Sequence, residues 1–306
     1  MKEIHVNLKR FDIPKKYGGL CPVMDSSEWI KNIIEETIHL GLGDIEGLRI
    51  CYFLPESLIQ PASLVLKSSG KNRNLFIGSQ SVFRNDVSPG KNFGAFTTNL
   101  PAAAASNLGA AWTIIGHSEE RKDKEEILQA YDSEILKFGT AAEKAGNVIN
   151  SLLNQEVLTG MKAGMNILYC VGETELERGS DDFSRQKPRI IKILRSQLIQ
   201  GLAGLADFPL RELVIGYEPR WAIGPGKTPP DADYIAFVSA SIKNICFDLF
   251  GREFPVIYGG GLKEGNAAMI AGIPTIDGGL VALTRFTGEI GFFVEDFRII
   301  VDKYLQ

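Results

Sequence analysis

Short apolar runs alternate along the chain with longer stretches of helical periodicity. The runs predict strands over 4–8, 48–54, 75–78, 112–115, 165–171, 213–217, 255–258 and 274–277. Candidate helices between them include 28–40, 102–108, 187–201, 231–250 and 295–305. Eight strands each followed by a helix predict an α/β fold, a closed parallel β/α barrel. An open doubly wound sheet is the alternative. It would want a glycine-rich turn after the first strand, and Asn7-Leu8-Lys9-Arg10 is not one.

A barrel of this kind needs about 250 residues. The chain has 306, so the excess belongs in loops of one barrel domain spanning 1–306. Two stretches are long enough. Residues 11–27, with Pro14, Gly18, Gly19 and Pro22, follow the first strand; residues 122–163 lie between the fourth and fifth strands and read as two helices. A net charge of −4 with no basic patch argues against nucleic acid or acidic membranes as partners. The N-terminus is charged and no apolar run approaches a membrane span, so neither a secretory leader nor a spanning segment is expected. Cys21, Cys51, Cys170 and Cys246 form no CxxC pair, and His5, His39 and His117 lack metal-ligand spacing. A reduced, cytoplasmic protein without a metal fits best.

In such a barrel the chemistry lies at the C-terminal ends of the strands. Read in order, those ends carry Asn7 and Lys9, Gly116-His117-Ser118-Glu119, Glu218, Gly259-Gly260-Gly261, and Gly278-Gly279. One cation, one imidazole, one carboxylate and two glycine-rich turns therefore converge. Behind Glu218 the segment Pro219-Arg220-Trp221-Ala222-Ile223-Gly224-Pro225-Gly226-Lys227 has the composition of a closing lid, with glycines that let backbone approach an anion. That set suits a reaction on a small anionic carbonyl compound. Singly, each residue has a plainer reading: Lys9 as a solvated strand end, His117 as a cap, Glu218 as a turn residue, and Gly259–Gly261 as a strand-ending turn.

The chain resembles the triosephosphate isomerase family over nearly its whole length. The resemblance is carried, in family order, by Asn7-Leu8-Lys9, Gly94-Ala95-Phe96-Thr97, Gly116-His117-Ser118-Glu119, Cys170-Val171-Gly172-Glu173, Tyr217–Lys227, Tyr258-Gly259-Gly260 and Asp277-Gly278. It implies a parallel (β/α)8 TIM barrel and a cofactor-independent aldose–ketose isomerase of a small sugar phosphate. Glu218 is then the base that moves a proton between adjacent carbons. His117 is the neutral electrophile, and Lys9 the cation that binds substrate and stabilises enediolate charge. Asn7 and Glu119 support Lys9 and His117. The phosphate falls to Ile223, Gly224 and Gly226 of the lid, to Gly260 and Gly261, and to Gly278, Gly279, Ala282 and Leu283. The family favours homodimers, and the loop from Phe83 to Thr98 is long enough to reach a neighbour.

Several positions depart from the family pattern. Gly261 stands where a serine is usual, and Ala282-Leu283 where there are two glycines. Thr284 or Arg285 is a candidate to replace the lost contact, an outward-facing Arg285 being the plainer reading. Thr97-Thr98-Asn99 and Glu120 replace both members of an interface pair, and Arg220 and Pro225 replace an apolar residue and a threonine in the lid. These changes avoid Lys9, His117 and Glu218 and touch the phosphate wall, the lid and the interface. Two alternatives to a triose phosphate isomerase follow: an isomerase of a four-carbon ketose phosphate such as erythrulose phosphate, and a non-catalytic sugar-phosphate-binding regulator.

Overall fold

A computed structural model describes residues 1–70, 73–137, 139–208, 212–224 and 226–306. Strands β1 (Lys2–Asn7), β2 (Leu48–Leu54), β3 (Leu75–Gln80), β4 (Trp112–Ile115), β5 (Asn166–Val171), β6 (Leu213–Tyr217), β7 (Val256–Tyr258) and β8 (Gly278–Val281) pair in parallel in chain order, and β8 returns to β1 to close a barrel. Around it run α1 (Ser26–His39), α2 (Glu56–Ser68), α3 (Ala102–Leu108), α4 (Ser118–Tyr131), α5 (Gly139–Lys162), α6 (Glu175–Arg178), α7 (Phe183–Gly201), α8 (Ala232–Phe250), α9 (Ala267–Ala271) and α10 (Val294–Leu305). The stretch expected to hold two helices is α4 and α5. No helix among the described residues is long and apolar enough to cross a membrane.

Strand period explains why the runs look continuously apolar. Successive side chains point to opposite faces. One set, with Ile4, Val6, Ile50, Tyr52, Ile167 and Ile215, packs under the helices. The other, with Cys51, Phe53, Trp112, Ile114, Leu168, Val214, Ile257 and Leu280, fills the barrel interior as a separate cluster. Helix starts follow capping chemistry: Asp25, Asp182 and Asp231 accept from backbone N–H groups of the first turns of α1, α7 and α8, and Thr174 with Glu177 forms a capping box on α6.

The eighth strand corrects the sequence reading. Residues 274–277 form a turn and its exit, and the strand begins at Gly278. Gly278 and Gly279 therefore sit at the start of β8, in the barrel wall, and not in a turn at the mouth. Close packing is why they are glycines. A Cβ at Gly278 would overlap the Glu3 carbonyl of β1, and one at Gly279 would stand 2.8 Å from the Leu262 side chain. The mouth end of β8 is occupied by Val281, Ala282 and Leu283.

A polar group lies inside the barrel beneath the mouth. Glu3 and His5 of β1 are buried, and Arg49 of β2 binds Glu3 at 3.0 Å and lies over the Trp112 ring. Glu3 Oε2, both His5 nitrogens and Trp112 Nε1 are buried without a hydrogen-bond partner, His5 Nε2 and Glu3 Oε2 being 3.5 Å apart. Burial, only partly offset by Arg49, lifts the Glu3 carboxyl to about 7; burial and then Arg49 push the His5 imidazole down to about 3. The two act in opposite directions. Glu3's contribution to stability is full below pH 4.5 and lost as pH rises through 7, whereas His5's is full above pH 6.5 and lost as pH falls toward 3. Glu3→Gln should therefore remove an alkaline loss of roughly 3 kcal/mol. Thermal melts at pH 5 and pH 8 check this: the variant's gain over wild type should be confined to pH 8.

Candidate active site

Lys9 follows β1 with φ of 44°, a left-handed backbone that a lysine adopts only under constraint. The constraint is visible. Asn7 Oδ1 accepts from Lys9 N at 3.0 Å, while Gln80 Nε2, at the end of β3, donates to Lys9 O at 2.8 Å and to Asn7 Oδ1 at 3.1 Å. Gln80 was not among the expected site residues. Its signal was only its place as the last, inward-phased residue of its strand. Lys9 Nζ then reaches 2.7 Å from Glu119 Oε1. Burial raises the Glu119 carboxyl, but the Lys9 hydrogen bond and charge, aided by His117, outweigh it and hold the group below its ordinary value.

His117 is the N-cap of α4, and its Nδ1 accepts from Glu119 N at 3.3 Å. A nitrogen that accepts carries no proton, so the neutral ring bears its hydrogen on Nε2. Nε2 lies 3.2 Å from Glu218 Oε1.

Glu218 leaves β6 almost fully buried, at 2% exposure. Its Oε2 accepts from Ser118 N at 2.7 Å and its Oε1 from Ser118 Oγ at 3.3 Å. Two glycines make room for it. A Cβ at Gly172 would overlap the Glu218 carbonyl, and one at Gly259 would stand 2.6 Å from Glu218 Cγ. Lys9, His117 and Glu218 thus meet at one barrel mouth, tied together through the first turn of α4. Ser118 is a second residue that sequence reasoning quoted without assigning a role.

The segment expected to form a lid begins as a single 3₁₀ turn, Arg220–Ala222, held at two points. Trp221 Nε1 donates to Glu173 Oε1 at 2.8 Å, the same oxygen that accepts from Tyr217 OH and Tyr234 OH, and Arg178 stacks on the Trp221 ring. Arg220 forms two 2.7 Å hydrogen bonds to Glu125 of α4. Beyond the half-buried Ile223, the tip at Gly224 and Gly226 is exposed, with φ of 121° and 76° that suit glycine. Pro225 lies outside the described residues. At the end of β7, Gly260 abuts its neighbour Tyr258, and Gly261 turns with φ of 94° while its carbonyl accepts from Asn266 Nδ2.

A profile of the family described as triosephosphate isomerase matches residues 54–290. The triosephosphate isomerase of Carboxydothermus hydrogenoformans is 31% identical over 288 residues, covering 91% of this chain and 92% of that protein. The chain belongs to the triosephosphate isomerase family. The enzyme of the same name from Chlorobium phaeobacteroides is 32% identical over 280 residues, with 88% and 93% coverage. The crystal structure of triosephosphate isomerase from Bartonella henselae shares the fold, with a TM-score of 0.67 at 22% identity, covering 100% of this chain and 99% of that one. Asn7 and Lys9 precede the span matched by the family profile, so their place at the mouth rests on the β1 geometry.

The departures from the triosephosphate isomerase pattern now have surroundings. Arg285 is committed to Asp296 through Nε at 2.6 Å and Nη2 at 3.1 Å, and its guanidinium stacks on Phe293. Thr284 Oγ1 accepts from Phe293 N at 2.9 Å. Neither side chain is free to replace a phosphate contact, and the outward reading of Arg285 is the observed one. Glu120, which stands in place of an arginine, accepts from Gly116 N and Ser81 Oγ and pairs with Lys124. Glu156 of α5 joins them through Ser81 Oγ at 3.1 Å and Lys124 at 3.1 Å. Burial and the adjacent Glu120 lift the Glu156 carboxyl to about 9, while burial of Glu120 is outweighed by Glu156's hydrogen bond and by Lys124. Glu120 thus belongs to an internal network at the root of the loop that follows β3.

Proposed function

We propose that this isomerase interconverts dihydroxyacetone phosphate and glyceraldehyde 3-phosphate. The observation that carries the reading is the convergence of Glu218, His117 and Lys9 on one mouth, with a Glu218–His117 separation of 3.2 Å. Glu218 takes a proton from the carbon beside the carbonyl and returns it to the neighbouring carbon. His117 Nε2–H and the Lys9 ammonium face the developing enediolate. Donors already in place for that charge are each worth about 3 kcal/mol in the transition state. The phosphate falls to backbone N–H groups of the lid at Ile223, Gly224 and Gly226, of the β7 turn at Gly260 and Gly261, and of the β8 end at Ala282 and Leu283. Gly278 and Gly279 have no part in this grip, because the barrel wall encloses them. Lid closure keeps water from the enediolate, which would otherwise lose phosphate.

We read residues 1–306 as one barrel domain that works in the cytoplasm as a homodimer. Support for the dimer is the loop from Phe83 to Thr98. Phe83 packs edge-on to Phe96, and Asp86 accepts from Val87 N and Ala103 N, which shapes the loop from within. Yet Phe93 is 85% exposed at its tip, a placement suited to burial against a second copy.

Coupled assays with dihydroxyacetone phosphate and with erythrulose phosphate test the substrate. The reading expects kcat/KM for the three-carbon substrate to exceed that for the four-carbon one by at least tenfold, about 1.4 kcal/mol of discrimination. The reverse ratio would assign the site to a tetrulose phosphate, and binding without turnover of either would assign it to a regulator.

A further inference from the structure

In the turn after β7, Gly261 offers no side chain, and Thr284 and Arg285 are committed elsewhere. The side chain that does stand beside this turn is Lys263. Leu262, between the two, is buried: its backbone N–H donates to the Leu280 carbonyl of β8 at 2.9 Å, and its side chain lies against Gly279. That anchor pins the loop to the barrel wall and leaves Lys263 in solvent. Asn266 clamps the turn. Its Nδ2 donates to the Gly261 carbonyl at 3.0 Å, and its Oδ1 accepts from Lys263 N at 2.8 Å.

Within that clamp the lysine chain folds back over Gly261. Its Cε is the nearest atom to the place a β-carbon on Gly261 would take, at 3.7 Å. The chain therefore lies on the side of the turn toward which a serine would project. Its Nζ rests 4.7 Å from the centre of the Phe286 ring, on the loop that follows Ala282 and Leu283. The ammonium thus spans the two loops whose backbone N–H groups are read above as the phosphate grip. Its charge is also uncommitted. Lys9 pairs with Glu119, Lys15 with Glu289, Lys227 with Glu175, Arg285 with Asp296, and the adjacent Glu264 with Lys303. Among the described residues Lys263 has no carboxylate partner, only the Phe286 ring. Such a contact is weak at an exposed site, so a phosphate dianion can draw the ammonium away from it.

We propose that Lys263 is a phosphate-binding residue of this site, its ammonium supplying the contact that a serine hydroxyl at position 261 would make. Gly261 N–H and Lys263 Nζ are then presented to the anion from one clamped turn. A lysine grips phosphate as a point charge, without the fixed direction of a hydroxyl. The inference rests on the sugar-phosphate reading given above.

The test compares Lys263→Met, Lys263→Arg and Phe286→Leu with the unaltered full-length protein. Binding of inorganic phosphate, followed by ³¹P NMR, should weaken about 5- to 20-fold in Lys263→Met. Lys263→Arg keeps the charge and should stay within about threefold of wild type. Phe286→Leu should stay within about twofold, since the ring only holds the ammonium at rest. The loss in Lys263→Met should shrink as ionic strength rises, because an exposed charge is screened. KM for dihydroxyacetone phosphate should rise by the same factor as the phosphate constant, with kcat nearly unchanged. Wild-type phosphate affinity in Lys263→Met would overturn the assignment. So would an equal loss in Phe286→Leu, or a loss indifferent to salt, either of which would make the lysine a tether between loops. Wild-type turnover of dihydroxyacetone phosphate is measured alongside. Its absence, with phosphate binding still dependent on Lys263, would count against the proposed substrate and leave the residue assigned. Brisk turnover with phosphate binding indifferent to Lys263 would do the reverse.

Discussion

Glu218→Gln is expected to lower kcat for dihydroxyacetone phosphate by about 10²–10⁴-fold, the range a positioned general base contributes. The amide keeps the shape of the side chain and its contacts to Gly172 and Gly259 but cannot accept a proton from carbon. KM should change little, because the proposed phosphate contacts are backbone N–H groups that the substitution leaves in place. Folding should also survive, since Ser118 N can donate to the amide oxygen as it does to the carboxylate. Initial rates and a circular dichroism melt separate the two effects. An unchanged rate would show that another group takes the proton, and a collapsed melt would move Glu218 from chemistry to structure.

Arg121→Met carries the largest expected loss of stability. The guanidinium is buried at 3% exposure and donates to the Gly116 carbonyl, Asn150 Oδ1, the Tyr169 hydroxyl and the Cys170 carbonyl. It closes the barrel between β4 and β5 at the level of the active site. Methionine fills much of the volume but leaves these acceptors without a donor. A buried group left unsatisfied costs about 1–3 kcal/mol, and relaxation will spare some of them, so a total on the order of 4 kcal/mol is expected. Urea denaturation measures it as a drop in midpoint. The same change should disturb Gly116 and with it His117, so kcat should fall even where the variant remains folded. Lys124→Met, whose partners Glu120 and Glu156 also sit beside this strand end, should cost less, because the two carboxyls can share a proton once the ammonium is gone.

What could be read from the sequence follows from where the information is stored. The bounds of β2, β4 and β6 were legible to the residue, because each is a largely buried run that gives way to a glycine or proline turn at its C-terminal end. β8 was misplaced by four residues. Gly278 and Gly279 look like a turn in one dimension, and only the approach of Glu3 and Leu262 shows that they are wall. The interior polarity of β1 was likewise hidden, since Glu3 and His5 gain meaning only from Arg49 and Trp112 across the barrel. Lys9, His117 and Glu218 were legible because each follows a strand, where a barrel places its chemistry. Gln80, Ser118 and the Glu173 hub were not, because they act through contacts spanning 44 to 100 residues of sequence. The same holds for Arg220. Its unusual charge was evident, but its partner Glu125 lies 95 residues away.

The central claim is proton transfer between adjacent carbons by Glu218. Conversion of dihydroxyacetone phosphate in deuterium oxide, followed by proton NMR of the trapped product, tests it most directly. The account predicts enzyme-dependent glyceraldehyde 3-phosphate carrying solvent deuterium at the carbon that was the carbonyl, and loss of that signal in Glu218→Gln. Product formed with no carbon-bound deuterium, or deuterium incorporation unaffected by Glu218→Gln, would contradict it.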